Sequence, residues 1–112
     1  MAIINNSELI ITGKSGKVYS FTMYLLPTEY EFNTDYPCVY IYFKNLNPIK
    51  LIYAGKSTNL PHRLTEHEKD DKHIIADSDY IAVSYCSTLE IMDELEVDIL
   101  EGNSFKYNIQ HN

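Results

Sequence analysis

At 112 residues the chain suffices for one compact domain and leaves no room for a second with its own core. Apolar residues make up 45% and charged residues 22% of it, close to the globular average, which excludes a wholly disordered chain. The formal net charge of −7 argues against nonspecific adhesion to nucleic acid, because binders of that kind carry a basic face.

The N-terminus, MAIINNSELIITGK, has no basic start followed by a continuous apolar run. No later stretch approaches the roughly 18 apolar residues of a membrane span, so the expected location is the cytoplasm, with no membrane partner. Residues 8–12 (ELIIT) and 18–24 (VYSFTMY) flank the turn-forming GKSGK and read as a hairpin. PTEYEFNTDYP follows, acidic, aromatic and bounded by Pro27 and Pro37, and reads as a connector. Residues 1–37 are therefore expected as an N-terminal hairpin and connector, and residues 38–112 as the main body of one domain.

Residues 38–43 (CVYIYF) and 51–54 (LIYA) are short apolar runs separated by KNLNPIK, a hairpin loop, and Gly55 ends the second strand. A helix should start near Thr58 or Asn59, either of which can cap it, with Pro61 in its first turn, and stop around Lys69-Asp70-Asp71. A third strand reads from Tyr80 to Tyr85. Ser87 and Glu90 resemble a capping box, opening a helix that runs from Thr88 to Glu101 and stops at Gly102; the tail FKYNIQHN should lie across the domain. The expected class is α/β of the α+β type: a small antiparallel sheet with three core strands flanked by helices, plus the extra N-terminal hairpin. Cys38 and Cys86 have no CxxC partner, so small buried thiols are expected rather than a disulfide or zinc site.

Charge is distributed unevenly. Residues 38–63 carry Lys44, Lys50, Lys56 and Arg63 and no acid, whereas residues 73–112 carry eight acids against Lys106 alone. One local segment can face phosphate while the rest repels it. Arg63 is the only arginine, and its planar fork grips phosphate bidentately, as lysine cannot; the bland alternative is a surface pair with Glu66 or Glu68. His67 falls on the same helical face, one turn later. On the later helix, at about 100° per residue, Ile91, Met92, Leu95 and Ile99 share one arc while Glu90, Glu94, Asp98 and Glu101 form a solvated face. Glu96 falls between the two apolar groups. An acid on a buried side costs stability unless it is paired or holds a metal.

The order Cys38-Val39-Tyr40, Tyr53-Ala54-Gly55, Arg63, His67, Glu96 and Asn108 resembles the GIY-YIG nuclease superfamily over residues 38–109. YAGKSTNLPHRLTEH is similar to that family's second strand and first helix. Cys38 stands where the family has glycine, Ala54 where it has isoleucine, and Phe105 where proline is frequent. The resemblance implies a metal-dependent DNA endonuclease. In it Tyr40 or Tyr53 would position or deprotonate the attacking water, and His67 would hydrogen-bond a tyrosine hydroxyl. Arg63 would clamp the scissile phosphate with help from Lys56, Glu96 would hold Mg²⁺ or Mn²⁺, and Asn108 would brace the site. DNA is then the expected partner, with specificity supplied by residues 1–37, by a second copy, or by a protein partner. The competing expectation is a catalytically silent module of the same fold that acts as a decoy, inhibitor or subunit on DNA or a protein. A third is an acidic interaction protein in which Arg63 and Glu96 form a buried ion pair, a costly way to stabilise a small core.

Overall fold

The computed structural model describes residues 1–108; the last four residues of the tail lie outside the described residues. In chain order the elements are β1 (Ala2–Asn5), β2 (Glu8–Thr12), β3 (Val18–Leu25), β4 (Cys38–Lys44), β5 (Lys50–Ser57), α1 (Leu60–Asp70), α2 (Lys72–Ala76), β6 (Tyr80–Tyr85) and α3 (Leu89–Gly102). The six strands form one sheet in the order β1-β2-β3-β6-β4-β5, each antiparallel to its neighbours.

This architecture corrects the expected three-stranded core with an appended hairpin. β3 pairs directly with β6, in a register that sets Thr22 opposite Val83 and Leu25 opposite Tyr80, so hydrogen bonding runs without a break across residue 37. The physical reason lies in the alternation of the hairpin. Leu9, Ile11 and Phe21 are each 0% exposed and share a core with Val39, Ile41 and Phe43; that apolar face could be buried only by extending the sheet beneath α3. β1 was not expected either. Asn6, at φ 57, takes the left-handed conformation that asparagine tolerates in tight hairpin turns, folding Ala2–Asn5 back onto β2.

β4 is covered on both sides, as a continuous apolar run requires. Val39, Ile41 and Phe43 meet Met92, Leu95 and Ile99 of α3. Cys38, Tyr40 and Tyr42 meet Leu60 of α1 and Ile74 of α2. Between β4 and β5 the register slips, pairing Tyr42 with Tyr53 but Phe43 with Leu51. Ile52 is the extra residue of this bulge, and both Ile52 and Tyr53 consequently pack on the α1 side.

Of the two candidate caps for α1, Asn59 serves, its side chain accepting from His62 N. α3 is capped by Thr88, which accepts from Ile91 N, in place of the expected box at Ser87. Its apolar arc is also turned from the expected one: Met92, Leu95 and Ile99 are buried while Leu89 and Ile91 are largely exposed. Asp98, read as a solvated acid, is instead an anchor. It accepts from Ser15 N (2.9 Å), Ser15 Oγ (2.7 Å) and the Tyr19 hydroxyl (2.6 Å), and these bonds, that of Tyr19 foremost, hold its carboxyl below the usual range. Contact is so close that a Cβ on Gly102 would sit 2.4 Å from Lys14 N. Both cysteines are buried and free. Among the described residues no helix is long and apolar enough to cross a membrane.

If β1–β3 are integral to the sheet, Phe21→Ala should cost about 3–5 kcal/mol of unfolding free energy, as for other buried Phe truncations. Urea denaturation measures this, and a loss below about 1 kcal/mol would mean that the hairpin is an appendage after all.

Candidate active site

Tyr40 lies in the middle of β4 at 0% exposure, and a phenolic hydroxyl buried there must find a partner. Its ring crosses over Gly55, its register partner on β5. A Cβ at Gly55 would stand 2.5 Å from the Tyr40 hydroxyl oxygen, so only glycine leaves the ring its path. The hydroxyl then reaches His67 Nε2 at 2.7 Å.

His67, also 0% exposed, is delivered by α1. Its Nδ1 lies 2.9 Å from Asp71 Oδ2, the next residue along the same face. A carboxylate only accepts, so Nδ1 carries the hydrogen and Nε2 accepts from the Tyr40 hydroxyl. Burial, and then the neighbouring Arg63, lower the His67 pKa, with Asp71 and Glu66 pulling the other way; the ring is neutral at pH 7. Tyr40, Tyr42 and Tyr53 surround it edge-on, with ring centroids 5.6, 5.7 and 5.3 Å away.

Arg63, one turn before His67, acts electrostatically on Tyr40 and Tyr53 and lies 3.5 Å from Glu66. Its side chain is 35% exposed, so the guanidinium is open to an incoming anion. Burial, and secondarily Tyr53, raise the Tyr40 pKa far above the phenol range even though Arg63 draws it down. Tyr40 therefore keeps its proton at neutral pH.

A second set of groups lies along β5. Lys56 stands opposite Val39, which belongs to the α3-side core, and so projects toward α3. Its ammonium is 2.7 Å from Asp93 Oδ1 and 3.8 Å from Glu96 Oε1. The Glu96 side chain is 15% exposed. Asn108, 5% exposed, clamps the strand between Tyr53 and Gly55: its amide oxygen accepts from Ala54 N (2.8 Å) and its amide nitrogen donates to Ala54 O (3.0 Å).

Of the residues singled out from the sequence, the structure thus gathers Tyr40, Tyr53, Arg63 and His67 into one contact set, with Asn108 fixing the backbone beside Tyr53. Glu96 and Lys56 form a separate pair on the α3 side of β5, the face opposite the one on which Tyr40 and Tyr53 pack. Three roles went unnoticed in the sequence. Asp71 was read as part of the helix stop, although its spacing of four from His67 was visible. Gly55 was read as a strand terminator and as the end of the Tyr53-Ala54-Gly55 triplet, not as the residue that gives the Tyr40 ring its path. Asp93, the closest partner of Lys56, carried no signal of its own. Among the described residues no group of three or more His, Cys, Asp or Glu side chains converges. Glu96, with Asp93 one turn earlier, could hold a divalent ion only with water or substrate oxygens completing the shell, an arrangement that suits Mg²⁺.

Compared with models of protein families, with curated proteins and with solved structures, the chain finds no match in any of the three.

His67 gives the fold a pH dependence whose sign follows from its lowered pKa. The neutral ring contributes its full stability above the unfolded-state value of about 6.5, and that contribution is lost as pH falls through the lower native value. Between about pH 7.5 and pH 5.5 the wild type should lose more unfolding free energy than His67→Gln, a window lying above carboxylate titration near 4. Parallel curves for the two proteins in urea would show that His67 is not buried in neutral form.

Proposed function

We propose that the protein is a divalent-metal-dependent endonuclease of the GIY-YIG type that hydrolyses DNA phosphodiester bonds. The observation that carries this reading is the Tyr40 hydroxyl, hydrogen-bonded to neutral His67 within electrostatic reach of the half-open guanidinium of Arg63. Phosphodiester hydrolysis needs a proton acceptor for water beside a cation that can grip phosphoryl oxygens, and this cluster offers both.

Because Tyr40 holds its proton firmly, it serves as a relay rather than a preformed phenolate. Tyr40 is fully buried, so this step requires substrate binding to uncover its oxygen; as water then gives a proton to it, the phenolic proton passes to His67 Nε2, and the resulting imidazolium is stabilised by Asp71. Arg63 takes the non-bridging oxygens bidentately. Tyr53 would help to orient the water, and Asn108 locks the backbone that carries Tyr53. A Mg²⁺ or Mn²⁺ ion, when bound, would neutralise charge on the phosphoryl and leaving oxygens. Glu96, with Asp93 nearby, is its holder in this reading; the attraction of both carboxylates for the Lys56 ammonium marks the spot as one that favours a cation. The cytoplasm is the proposed location, and target choice falls to β1–β3, a second copy, or a protein partner.

A silent binding module is the second reading, and one observation favours it: Lys56 already neutralises Asp93 and approaches Glu96, where a metal would have to enter. Cleavage of supercoiled, branched and single-stranded DNA with Mg²⁺, Mn²⁺ or EDTA decides between them. Active wild type should lose at least about 100-fold in Tyr40→Phe, Arg63→Ala and Glu96→Gln, and Mg²⁺ should raise the melting temperature of wild type but not of Glu96→Gln. If no DNA is cut under any condition and Mg²⁺ leaves the melting temperature unchanged, the protein is the silent module.

A further inference from the structure

Segment 26–37 forms neither helix nor strand, yet it is held firmly and encloses space. Leu26 N donates to Asp79 O (2.9 Å), Asn33 N donates to the Tyr85 hydroxyl (3.1 Å), and the Tyr36 ring meets Tyr85 edge-on at 5.5 Å. Tyr30 and Phe32 pack on each other and on Tyr24 of β3, at centroid distances of 4.9, 4.7 and 5.0 Å. Between this segment and the helices α1 and α2 lies a cavity of about 610 Å³, within the range of small-molecule sites. None of the roles assigned above uses it.

Its chemistry is one-sided. Tyr30, Phe32 and Tyr42 present aromatic surface, and Leu64 and Ile75 close the apolar wall. Tyr30 is 55% exposed, a large amphipathic ring left standing at the cavity. The lining contains no lysine, arginine or histidine, and its two carboxylates, Glu31 and Glu68, take part in none of the ion pairs formed among the described residues. Burial, and then the charge of Glu68, raise the pKa of Tyr42. An anion entering here would meet two negative charges and no donor cation. A cation would meet both charges and the faces of aromatic rings, which attract it electrostatically.

We infer that this cavity binds a small organic cation: an ammonium or quaternary ammonium group, set between Glu31, Glu68 and the aromatic rings, on a flat apolar body that fills the space over Leu64 and Ile75. This inference does not depend on the nuclease reading. The site is nevertheless coupled to the Tyr40 cluster through one side chain, because Tyr42 lines the cavity and packs edge-on against His67.

Amide-resolved NMR titration of the full chain tests this with three probes of similar bulk: benzyltrimethylammonium, neutral N,N-dimethylbenzamide and benzenesulfonate. The cation should shift amides of Thr65, Leu64, Ile75 and Glu31 and bind at least about fivefold more tightly than the neutral probe, while the sulfonate leaves those amides unmoved. Glu31→Gln with Glu68→Gln should erase the preference for the cation while leaving the neutral probe's affinity unchanged, which separates a lost charge from a lost fold; Phe32→Leu should weaken both. Equal binding of cation and neutral probe, shifts confined to other residues, or no saturation by any probe would overturn the inference. Tighter binding of an oligolysine peptide than of the ammonium probe would overturn the assignment to a small molecule.

Discussion

Tyr40 places a hydroxyl in the interior, and much of the molecule answers that one constraint. An unpaired hydroxyl at 0% exposure would cost on the order of 1–3 kcal/mol, so α1 must come close enough for His67 to reach it. Close approach of the phenol to β5 in turn demands a residue without a side chain at Gly55. A buried imidazole that accepts from a phenol must protonate its other nitrogen, and this requires Asp71 at the end of the helix. Each partner is chosen by the need created by the one before it, so the chain Tyr40–His67–Asp71 is structural before it is anything else. Its chemical usefulness follows from the same geometry: a proton can move along it without any heavy atom moving far.

Electrostatics divides the molecule. Arg63 pairs with one exposed glutamate on its own helix, whereas Lys56 is occupied by carboxylates of α3. A polyanion approaching β5 would find the arginine ready and the lysine already engaged. Attraction would therefore be short-range and set against the repulsion of a chain carrying −7, so encounter would depend on a few contacts rather than on a broad basic field.

The strands around Tyr40 and Tyr53 and the helix of Arg63 and His67 were legible in the sequence, because each has its own period and punctuation. The extent of the sheet was not. Leu9, Ile11 and Phe21 announce an apolar face but not which strand they extend, and the β3–β6 pairing joins residues far apart in sequence. Asp98 shows the same limit: helical periodicity places it on a polar face, yet only the folded chain brings the GKSGK turn against it. The bulge at Ile52 was invisible too, and it decides that Tyr53 faces α1. Local patterns reveal elements; registers and partners arise when distant segments meet.

Asn108 has a consequence beyond the candidate site. Its side-chain amide imitates a strand residue, offering Ala54 both an acceptor and a donor, while Lys106 N and Tyr107 N bond to Leu51 O and Ile52 O. The chain's own tail thereby occupies the rim of β5 that would otherwise template another extended segment. Self-recruitment into a growing ribbon is checked at that end of the sheet, next to the tyrosines, by three residues that belong to no strand. The opposite rim is β1, at the far edge of the sheet, so strand addition there would leave the Tyr40 cluster outside the contact.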